Sequence, residues 1–402
     1  MAARARSRCG SGFVDERFFT LPHEDKHRAT PWLVEADQRL RDEVFAAAMR
    51  VHRAFIDAAA PRLRHNLGVL MQAMGGTLPT VEKQALLPDL WSSLFLVVPL
   101  ISTTLASVDR MLGGLPPETL GWLLVDEAGQ AVPQAAVGAL MRTRRAIVVG
   151  DPQQIEPVVT LSDSLTQAIC REFGVDPDRY NAPEASVQTL SDAASSWVAE
   201  FHGHNGSRTV GVPLLVHRRC TEPMFAVSNE IAYAGLMVNA KAPRDSKIGE
   251  ILGPSAWIDV AGAAQEKWCP EEGDIVLDLL RRLSGPVAPD LYIVTPFVIV
   301  AENLRRLVRE SGVATGWAID SGRWARERIG TVHTVQGREA EAVILILGAP
   351  DPQQSGARGW AGGRPNLLNV AVTRAKERLY VVGNRRLWRE AGVFRSLDIR
   401  LR

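Results

Sequence analysis

Two adjacent carboxylates follow an apolar run in the first half of the chain. Residues 121–125 are mainly apolar, and Asp126 and Glu127 come directly after them. Such a run is typical of a buried parallel strand, and α/β sheets bind ligands beyond the carboxyl ends of their strands. The pair could hold a magnesium ion and orient a water molecule there. The alternative is a helix N-terminus, whose dipole also favours acids.

A second polar cluster repeats this plan further along the chain. Residues 146–149 are apolar and lead through Gly150 into Asp151, Pro152 and Gln154. Two strand-end clusters that are close in the chain indicate one nucleotide site shared by neighbouring strands. The alternative for Gln154 is that it only closes a turn with Pro152.

The elements around these clusters predict a parallel sheet. A strand at 121–125, a helix at 134–141 and a strand at 146–149 form an alternating series that favours right-handed crossovers. Residues 92–107 also predict a strand. Residues 31–75 carry an apolar stripe at helical spacing, and Pro61 within them predicts a break into two helices.

The second half of the chain repeats the alternation of strands and helices. We predict strands at 255–259, 290–295, 329–333, 342–347 and 378–382, and helices at 222–232, 271–284, 297–311 and 366–376. Residues 351–365, rich in Gly and Gln, predict a surface loop. The fold class is therefore α/β with parallel sheets. A Gly-, His- and Ser-rich stretch at 202–207 predicts a boundary, which gives a helical segment at 1–90 and α/β domains at 91–204 and 205–402.

Composition limits the function classes. The 402 residues are 46% hydrophobic, which suffices for two cores, and the net charge of +1 predicts no bulk attraction to nucleic acid or membranes. Nucleic-acid binding would therefore need a local groove. Four scattered cysteines and the absence of a long apolar run predict a cytoplasmic protein without a membrane partner.

Three further clusters complete a set of five. They are a Ser- and Thr-rich stretch at 102–107, the sequence His-Arg-Arg-Cys at 217–220 that runs on through Asn229 to Tyr233, and a split cluster at 335–339 and 369–376. In this order and content the chain resembles superfamily 1 helicases of the up-frameshift and DNA-replication-helicase branch, subfamily 1B, over residues 92–390. As a set these motifs are specific, although each alone would be weak.

The resemblance implies a fold and an activity. Proteins of this family place ATP between two RecA-like domains of the P-loop NTPase type and move along single-stranded nucleic acid. It therefore implies an ATP-dependent helicase or translocase that uses ATP and Mg²⁺ and acts on single-stranded DNA or RNA, in the 5′ to 3′ direction by subfamily.

The resemblance also assigns roles in hydrolysis. It implies that Asp126 holds the magnesium ion and that Glu127 activates the attacking water. Gln154 would sense the γ-phosphate, and Asp151 would set the turn that carries Gln154. These roles suit phosphoryl transfer, which is catalysed mainly by positioning groups and by placing positive charge around the phosphates.

Further roles are implied for the second half of the chain. Arg219 and Arg374 would reach the phosphates as arginine fingers, with surface charges as the alternative. Glu339 would accept hydrogen bonds from the ribose hydroxyls, and Gly337 would allow the backbone to approach. Arg218 stands where the family often has a tyrosine that stacks on adenine, and a guanidinium can also stack on a base.

Four threonines are candidates for contacts to the nucleic-acid backbone through their hydroxyl groups. These are Thr103, Thr104, Thr295 and Thr334. Thr295 could equally be an ordinary residue at the end of a strand. His217 is expected to be structural, because the implied chemistry needs no imidazole base.

One family motif is missing. These ATPases cradle phosphates with a Gly-x-x-x-x-Gly-Lys loop, but this sequence contains no Gly-Lys dipeptide. We therefore expect a C-terminal portion of a larger protein that is not competent for hydrolysis by itself and could pair with the missing half as a separate chain. The alternative is an inactive nucleic-acid- or protein-binding fragment. Either way, strand 146–149 should form an exposed sheet edge.

Overall fold

The computed structural model describes residues 6–7, 9, 13–77, 81, 85–203, 206–317, 319–335 and 337–401. The chain divides into two compact units. The first unit comprises Met1–Gly150 and Pro157–Gln188, and the second comprises Asp151–Glu156 and Thr189–Arg402. The predicted boundary at residues 204 and 205 lies outside the described residues, so the predicted domain limits stay a prediction.

The strands of the described residues are named in chain order. They are β1 (Leu123–Val125), β2 (Ala146–Val148), β3 (Ala199–Gly203), β4 (Gly206–Val210), β5 (Val216–His217), β6 (Val238–Asn239), β7 (Ala256–Asp259), β8 (Leu291–Thr295), β9 (Ile329–Thr331), β10 (Ala340–Ile346) and β11 (Ala375–Gly383).

The α-helices are named in the same way. They are α1 (Glu16–Thr20), α2 (His23–Arg28), α3 (Glu35–Met74), α4 (Leu87–Val97), α5 (Val108–Leu112), α6 (Val137–Met141), α7 (Asp163–Glu172), α8 (Pro177–Tyr180), α9 (Val187–Ala194), α10 (Met224–Ala232), α11 (Lys247–Leu252), α12 (Pro270–Arg282), α13 (Val298–Ser311), α14 (Ser321–Arg328), α15 (Ser355–Gly362), α16 (Pro365–Thr373), α17 (Arg385–Trp388) and α18 (Phe394–Arg400). None of these helices combines the length and the apolar character needed to cross a bilayer.

The first unit contains a small parallel sheet. β1 and β2 pair in parallel with Val125 opposite Val148, which confirms the two strands predicted here. Among the described residues β1 is the one strand paired with β2, so the other edge of β2 is open, as expected. Leu124 is 61% exposed and Ile147 is 45% exposed. This sheet therefore buries little of its apolar surface within the unit.

The strand predicted at 92–107 is wrong. Its first half belongs to helix α4, and Leu105–Ser107 form a 3₁₀ turn. Leu90 and Trp91 of α4 pack with Leu70 of α3 in one apolar cluster. Periodicity alone cannot distinguish a short apolar run in a strand from one in a buried helix, and here packing against α3 decides for the helix.

The break predicted at Pro61 is also wrong, because α3 continues through it. A proline in a helix costs about 3 kcal/mol and removes one hydrogen bond. Contacts with α4 support α3 on both sides of Pro61. The His52 Nε2 lies 2.6 Å from the Leu96 carbonyl oxygen, and Asn66 Nδ2 donates to Ser93 Oγ over 2.9 Å. Helix packing therefore offsets the local cost.

The second unit is built on a five-stranded parallel sheet. The strand order is β7-β11-β10-β8-β9, and every adjacent pair is parallel. All five residues of β8 are buried, as expected for a strand covered on both faces. These strands, together with α10, α12, α13 and α16, confirm the alternation predicted for the second half. Ala340 lies opposite Ala375, so the amino ends of β10 and β11 are neighbours.

The surface loop predicted at 351–365 is wrong, because most of this range is helical and contains α15. The reason is Arg358, which is 4% exposed. Its Nη1 donates to the carbonyl oxygens of Ala349 and Asp351 over 2.7 Å, and its Nη2 donates to that of Pro352 over 3.1 Å. One buried guanidinium thus satisfies three backbone acceptors, which composition could not reveal.

We expect Arg358→Met to lower the free energy of unfolding by about 3 kcal/mol, because it leaves buried carbonyl groups without their charged donor. Urea unfolding of the full chain, followed by tryptophan fluorescence, measures this. Arg386 is exposed, so Arg386→Met is the control and should change stability by less than about 0.5 kcal/mol. Equal unfolding midpoints for the two variants would contradict the prediction.

Candidate functional site

The first unit carries the predicted carboxylate pair directly after β1. Asp126 Oδ1 accepts the backbone N–H of Glu127 over 3.0 Å, and Glu127 Oε2 accepts from Gln130 Nε2 over 2.9 Å. Glu127 has φ of 54°, in the left-handed region that residues other than glycine rarely adopt. Strain of this kind clusters at functional sites. The structure therefore places both carboxylates in a strained turn rather than at the start of an α-helix.

Gly150 allows this turn to pack against the end of β2. A Cβ atom at Gly150 would lie 2.6 Å from the Gly129 nitrogen and 2.8 Å from the Ala128 nitrogen. The Ala128 N–H donates to the Val149 carbonyl oxygen over 3.0 Å. Only glycine fits this close approach of two backbone segments. The first unit thus brings the end of β2 against the turn that carries the carboxylates.

The donor groups near this turn fit one kind of metal site. Asp126 is exposed, and no group of three or more His, Cys, Asp or Glu side chains in the described part of the chain could hold an ion. Magnesium is usually bound by one or two carboxylates together with water and the phosphates of a substrate. Asp126 therefore suits a magnesium ion that binds together with phosphate groups.

The second unit contains a cleft of about 530 Å³, a volume typical of small-molecule sites. It brings together residues from most of the predicted clusters of the second half and from the 151–156 segment. The lining residues are Asp151, Gln154, Leu214, Val216, His217, Arg218, Arg219, Ser228, Tyr233, Met237, Glu339 and Thr373. Predicted site residues from three separate stretches of sequence thus share one cavity.

Arg374 lies beside this cleft with its side chain 1% exposed. Its Nη2 donates to Gln154 Oε1, its Nη1 to the Arg338 carbonyl oxygen and its Nε to the Val370 carbonyl oxygen, each over 3.3 Å. These contacts hold the guanidinium group in one orientation next to Gln154. Arg374 is therefore buried and is not a surface charge, which was the alternative interpretation of this residue.

Glu339 holds two cations at the cleft. Its carboxylate lies 3.2 Å from Arg219 Nε and 2.8 Å from Lys376 Nζ. The hydrogen bond from Lys376 is the largest cause of the lowered pKa of Glu339, and the charges of Lys376, Arg219 and Arg374 add to it. Glu339 is therefore ionised at neutral pH, and the surrounding cations create a site that favours negative charge.

His217 shapes the turn that presents Arg218 and Arg219. Its Nε2 accepts the backbone N–H of Cys220 over 2.9 Å, so the ring proton lies on Nδ1. Burial, with the neighbouring Arg219 charge, lowers the pKa of His217 to about 4. The imidazole is therefore neutral at physiological pH and has a structural role, as expected from the sequence.

The four candidate threonines lie in different environments. Thr103 and Thr104 are exposed in the first unit, and Thr334 is exposed in the second. Thr295 is fully buried at the end of β8, where its Oγ1 accepts the N–H of Phe297 over 3.3 Å. The first three are accessible to a nucleic-acid backbone, whereas Thr295 has the environment of a strand terminator.

Gly337 and Arg218 complete the predicted set. Gly337 has φ of 74°, and a Cβ atom there would meet nothing within 4 Å. Glycine is therefore favoured at this position by the backbone conformation rather than by crowding. Arg218 is exposed and lines the cleft, which leaves its guanidinium accessible. Residue 336, in the same predicted cluster as Gly337, lies outside the described residues.

The sequence predicted a site at the carboxyl ends of strands, whereas the cleft of the second unit lies near the amino ends of β10 and β11. Glu339 directly precedes β10 and Arg374 directly precedes β11, so both lie at the amino ends of the strands. The predicted clusters include Lys376, Tyr233 and Asn369, but no role was predicted for these three residues. The available signal was the pair of amides, Asn366 and Asn369, among the apolar residues of α16.

Comparison with known proteins finds two family models that match parts of this chain. Two models, each described as an AAA domain, match residues 72–162 and 203–386. The DNA-binding protein SMUBP-2 of Rattus norvegicus is 25% identical over 304 residues, which is 71% of this chain and 27% of that protein. The 5′-3′ DNA helicase ZGRF1 of Mus musculus is 26% identical over 66% of this chain and 13% of its own length.

Further similarity is seen to a plant protein and to a solved structure. The DNA replication ATP-dependent helicase/nuclease JHS1 of Arabidopsis thaliana is 22% identical over 65% of this chain and 19% of its own length. The crystal structure of Arterivirus nonstructural protein 10 (helicase) aligns with a TM-score of 0.31 and 16% identity, over 65% of this chain and 39% of that one. The chain thus spans about a quarter, 27%, of the first of these curated relatives.

We expect the His217 ring to titrate near pH 4, because folding favours its neutral form. Its usual pKa is 6.5, so the stabilisation from burying the neutral ring is complete above pH 6.5 and is lost as the pH falls through about 4. Nuclear magnetic resonance of the ring nitrogens against pH tests this, with His217→Gln to assign the signal. A midpoint near the usual value would refute the environment described for His217.

Proposed function

The chain is a superfamily 1 helicase-like protein, and we propose that the cleft of the second unit binds the phosphate groups of a nucleoside triphosphate. The contact that carries this proposal joins Arg374 Nη2 to Gln154 Oε1 over 3.3 Å. It puts a fixed guanidinium beside the amide of Gln154, which lines a cavity with a volume typical of small-molecule sites. That combination can recognise the charge and the oxygen atoms of a phosphate together.

The charges around the cleft support binding of an anion. Arg218, Arg219 and Arg374 supply guanidinium groups, and Lys376 adds an ammonium group that is paired with Glu339. Arg219 is 40% exposed at its side chain and has one carboxylate partner, Glu339. An exposed ion pair is worth less than about 1 kcal/mol. A phosphate group could therefore replace that carboxylate as the partner of Arg219 at small cost.

The roles in hydrolysis are those that the family resemblance implies. In the first unit, Asp126 would hold magnesium, which when bound supplies positive charge for phosphoryl transfer. Glu127, whose carboxylate Gln130 orients, would accept a proton from the attacking water. Gln154 would hydrogen-bond the γ-phosphate, and the guanidinium groups of Arg219 and Arg374 would stabilise the charge that spreads during transfer.

The proposed polymer is single-stranded DNA or RNA. The names of two relatives describe a DNA-binding protein and a DNA helicase. Thr103, Thr104 and Thr334 have exposed side chains that could donate to phosphate oxygens. The net charge of +1 gives no general attraction, so these local contacts would matter most. Subfamily 1B and 5′ to 3′ movement stay predictions.

One observation favours a second candidate function. The sequence has no Gly-Lys dipeptide and therefore no phosphate-binding loop of the family type. The second candidate is a protein that binds nucleic acid or another protein without hydrolysing ATP. Turnover of ATP by the purified chain, with and without single-stranded DNA or RNA, distinguishes the two. Binding of either polymer without turnover would support the second candidate.

We expect Arg219→Gln to weaken binding of ATP with magnesium by about tenfold, because a charged hydrogen bond to a phosphate is worth about 1.5 kcal/mol or more. Arg374→Gln should weaken it further, since that guanidinium is less exposed to solvent. Equilibrium dialysis of the full chain with labelled ATP, and separately with labelled adenosine, measures both effects.

The matched control is Arg386→Gln, because Arg386 is exposed and does not line the cleft. It should leave ATP binding unchanged. Arg219→Gln guards against a folding defect in Arg374→Gln, since Arg219 is the more exposed of the two. If ATP bound no better than adenosine, or if Arg219→Gln bound ATP like the wild type, the proposed site would be rejected.

A further inference from the structure

The segment Asp151–Glu156 is held by the second unit, to which it belongs. Ile155 is 7% exposed and packs in the large apolar core of that unit. Asn366 Nδ2 donates to the Pro152 carbonyl oxygen over 3.1 Å and also to the carbonyl oxygen of Gln154. This segment carries the Gln154 amide, which would contact the proposed phosphates. The contacts that anchor the segment therefore determine the orientation of that amide.

Tyr233, which follows α10, is the first side chain that reaches this segment. Its hydroxyl donates to Asp151 Oδ2. Burial, together with the adjacent Asp151 carboxylate, raises the pKa of Tyr233 well above its usual value. The hydroxyl therefore keeps its proton and remains a donor. The same Asp151 oxygen accepts Gln154 Nε2 over 3.1 Å, so Tyr233 and Gln154 meet at one carboxylate oxygen.

Asn369 on α16 is the second side chain, and it is fully buried. Its Nδ2 donates to the Gln153 carbonyl oxygen over 2.8 Å and to the Tyr233 hydroxyl oxygen over 3.0 Å. Its Oδ1 accepts from Ser228 Oγ over 2.7 Å. Both functional groups of this amide thus have partners, which fixes its orientation and makes it the junction between α10, α16 and the segment.

We propose that Tyr233 and Asn369 are positioning residues that hold Gln154 in place to distinguish a nucleoside triphosphate from a diphosphate. This inference rests on the proposed phosphate-binding function of the cleft. The hydrogen bonds run from Asn369 to Tyr233 and from Tyr233 to Asp151, and Asp151 in turn accepts from Gln154. Neither Tyr233 nor Asn369 needs to touch the nucleotide for this role.

Selectivity for a triphosphate is expected because Gln154 and Arg219 are held in place by different contacts. Gln154 is a neutral amide, and two side chains, Asp151 and Arg374, orient it. Arg219 is held separately, by its ion pair with Glu339. Loss of the Tyr233 hydroxyl would remove one of the hydrogen bonds that hold the Asp151 carboxylate, which also accepts the Gln153 N–H, and would thereby loosen Gln154. The charge of the arginines would remain. Contacts to the γ-phosphate should therefore weaken more than general attraction to a nucleotide.

The test compares Tyr233→Phe with Tyr380→Phe in the full chain. Tyr380 is 1% exposed and donates to the Gly253 carbonyl oxygen over 2.8 Å, so its variant loses a similar buried hydrogen bond away from the cleft. In Tyr233→Phe we expect the amides of Gln153–Glu156 to exchange hydrogen about tenfold faster, because one hydrogen bond is worth about that factor. The affinity ratio of ATP to ADP should fall about three- to tenfold. Tyr380→Phe should change neither quantity.

Asn369→Leu provides a second variant, because it keeps a similar side-chain volume but removes the amide and with it both donated hydrogen bonds and the one accepted from Ser228. It should show the same two changes as Tyr233→Phe. Unchanged exchange in Tyr233→Phe, or equal acceleration in Tyr380→Phe, would overturn the inference. Equal binding of ATP and ADP by the wild type would also overturn the inference, but it would leave phosphate binding in the cleft intact. If the wild type bound ATP no better than adenosine, the proposed function would fail, and the exchange rates alone would decide whether the pair anchors the segment.

Discussion

A buried guanidinium group must have its donors satisfied, and Arg374 imposes this constraint on the second unit. Its charge is almost completely removed from solvent, and an unpaired charge in that environment would cost several kcal/mol. The acceptors come from Val370 one helical turn before it, from the Arg338 carbonyl group and from the Gln154 amide. Satisfying one side chain therefore ties together three stretches that are far apart in sequence.

The sheet supplies the frame for that arrangement. The pairing of Ala340 with Ala375 sets the amino ends of β10 and β11 side by side. Glu339 and Arg374 occupy the positions immediately before those strands. The register of this one strand pair therefore fixes a carboxylate and a guanidinium group at the same edge of the sheet. The parallel core beneath is buried and closely packed, which makes this edge a rigid support for side chains that bind ligands.

Much of this architecture was predictable from patterns of residue type. The apolar runs of the second half predicted its parallel strands, because fully buried strands need continuous hydrophobic sequence. The motifs also predicted that Gln154, Arg219 and Glu339 belong to one site, which the cleft supports. The resemblance indicated helicase-like chemistry, and the matched family models agree with it.

Long-range packing accounts for what sequence could not show. Helix α3 passes through Pro61 because α4 contacts it on both sides, and the 351–365 range folds around the buried Arg358. The junction at Asn369 depends on partners from α10 and from Gln153. The contacts at Pro61 and at Asn369 join residues that are distant in the chain, and residue types do not reveal that Arg358 is buried. No local pattern therefore contains this information.

The central claim is that Arg374, Arg219 and Gln154 form a site for phosphate groups. A crystal structure of the chain with magnesium and a non-hydrolysable ATP analogue tests it most directly. We expect phosphate oxygen atoms within about 3.2 Å of the Arg374 guanidinium and of the Gln154 amide, with Arg219 moved from Glu339 to a phosphate. An analogue bound elsewhere, with the Arg219–Glu339 ion pair intact, would contradict it.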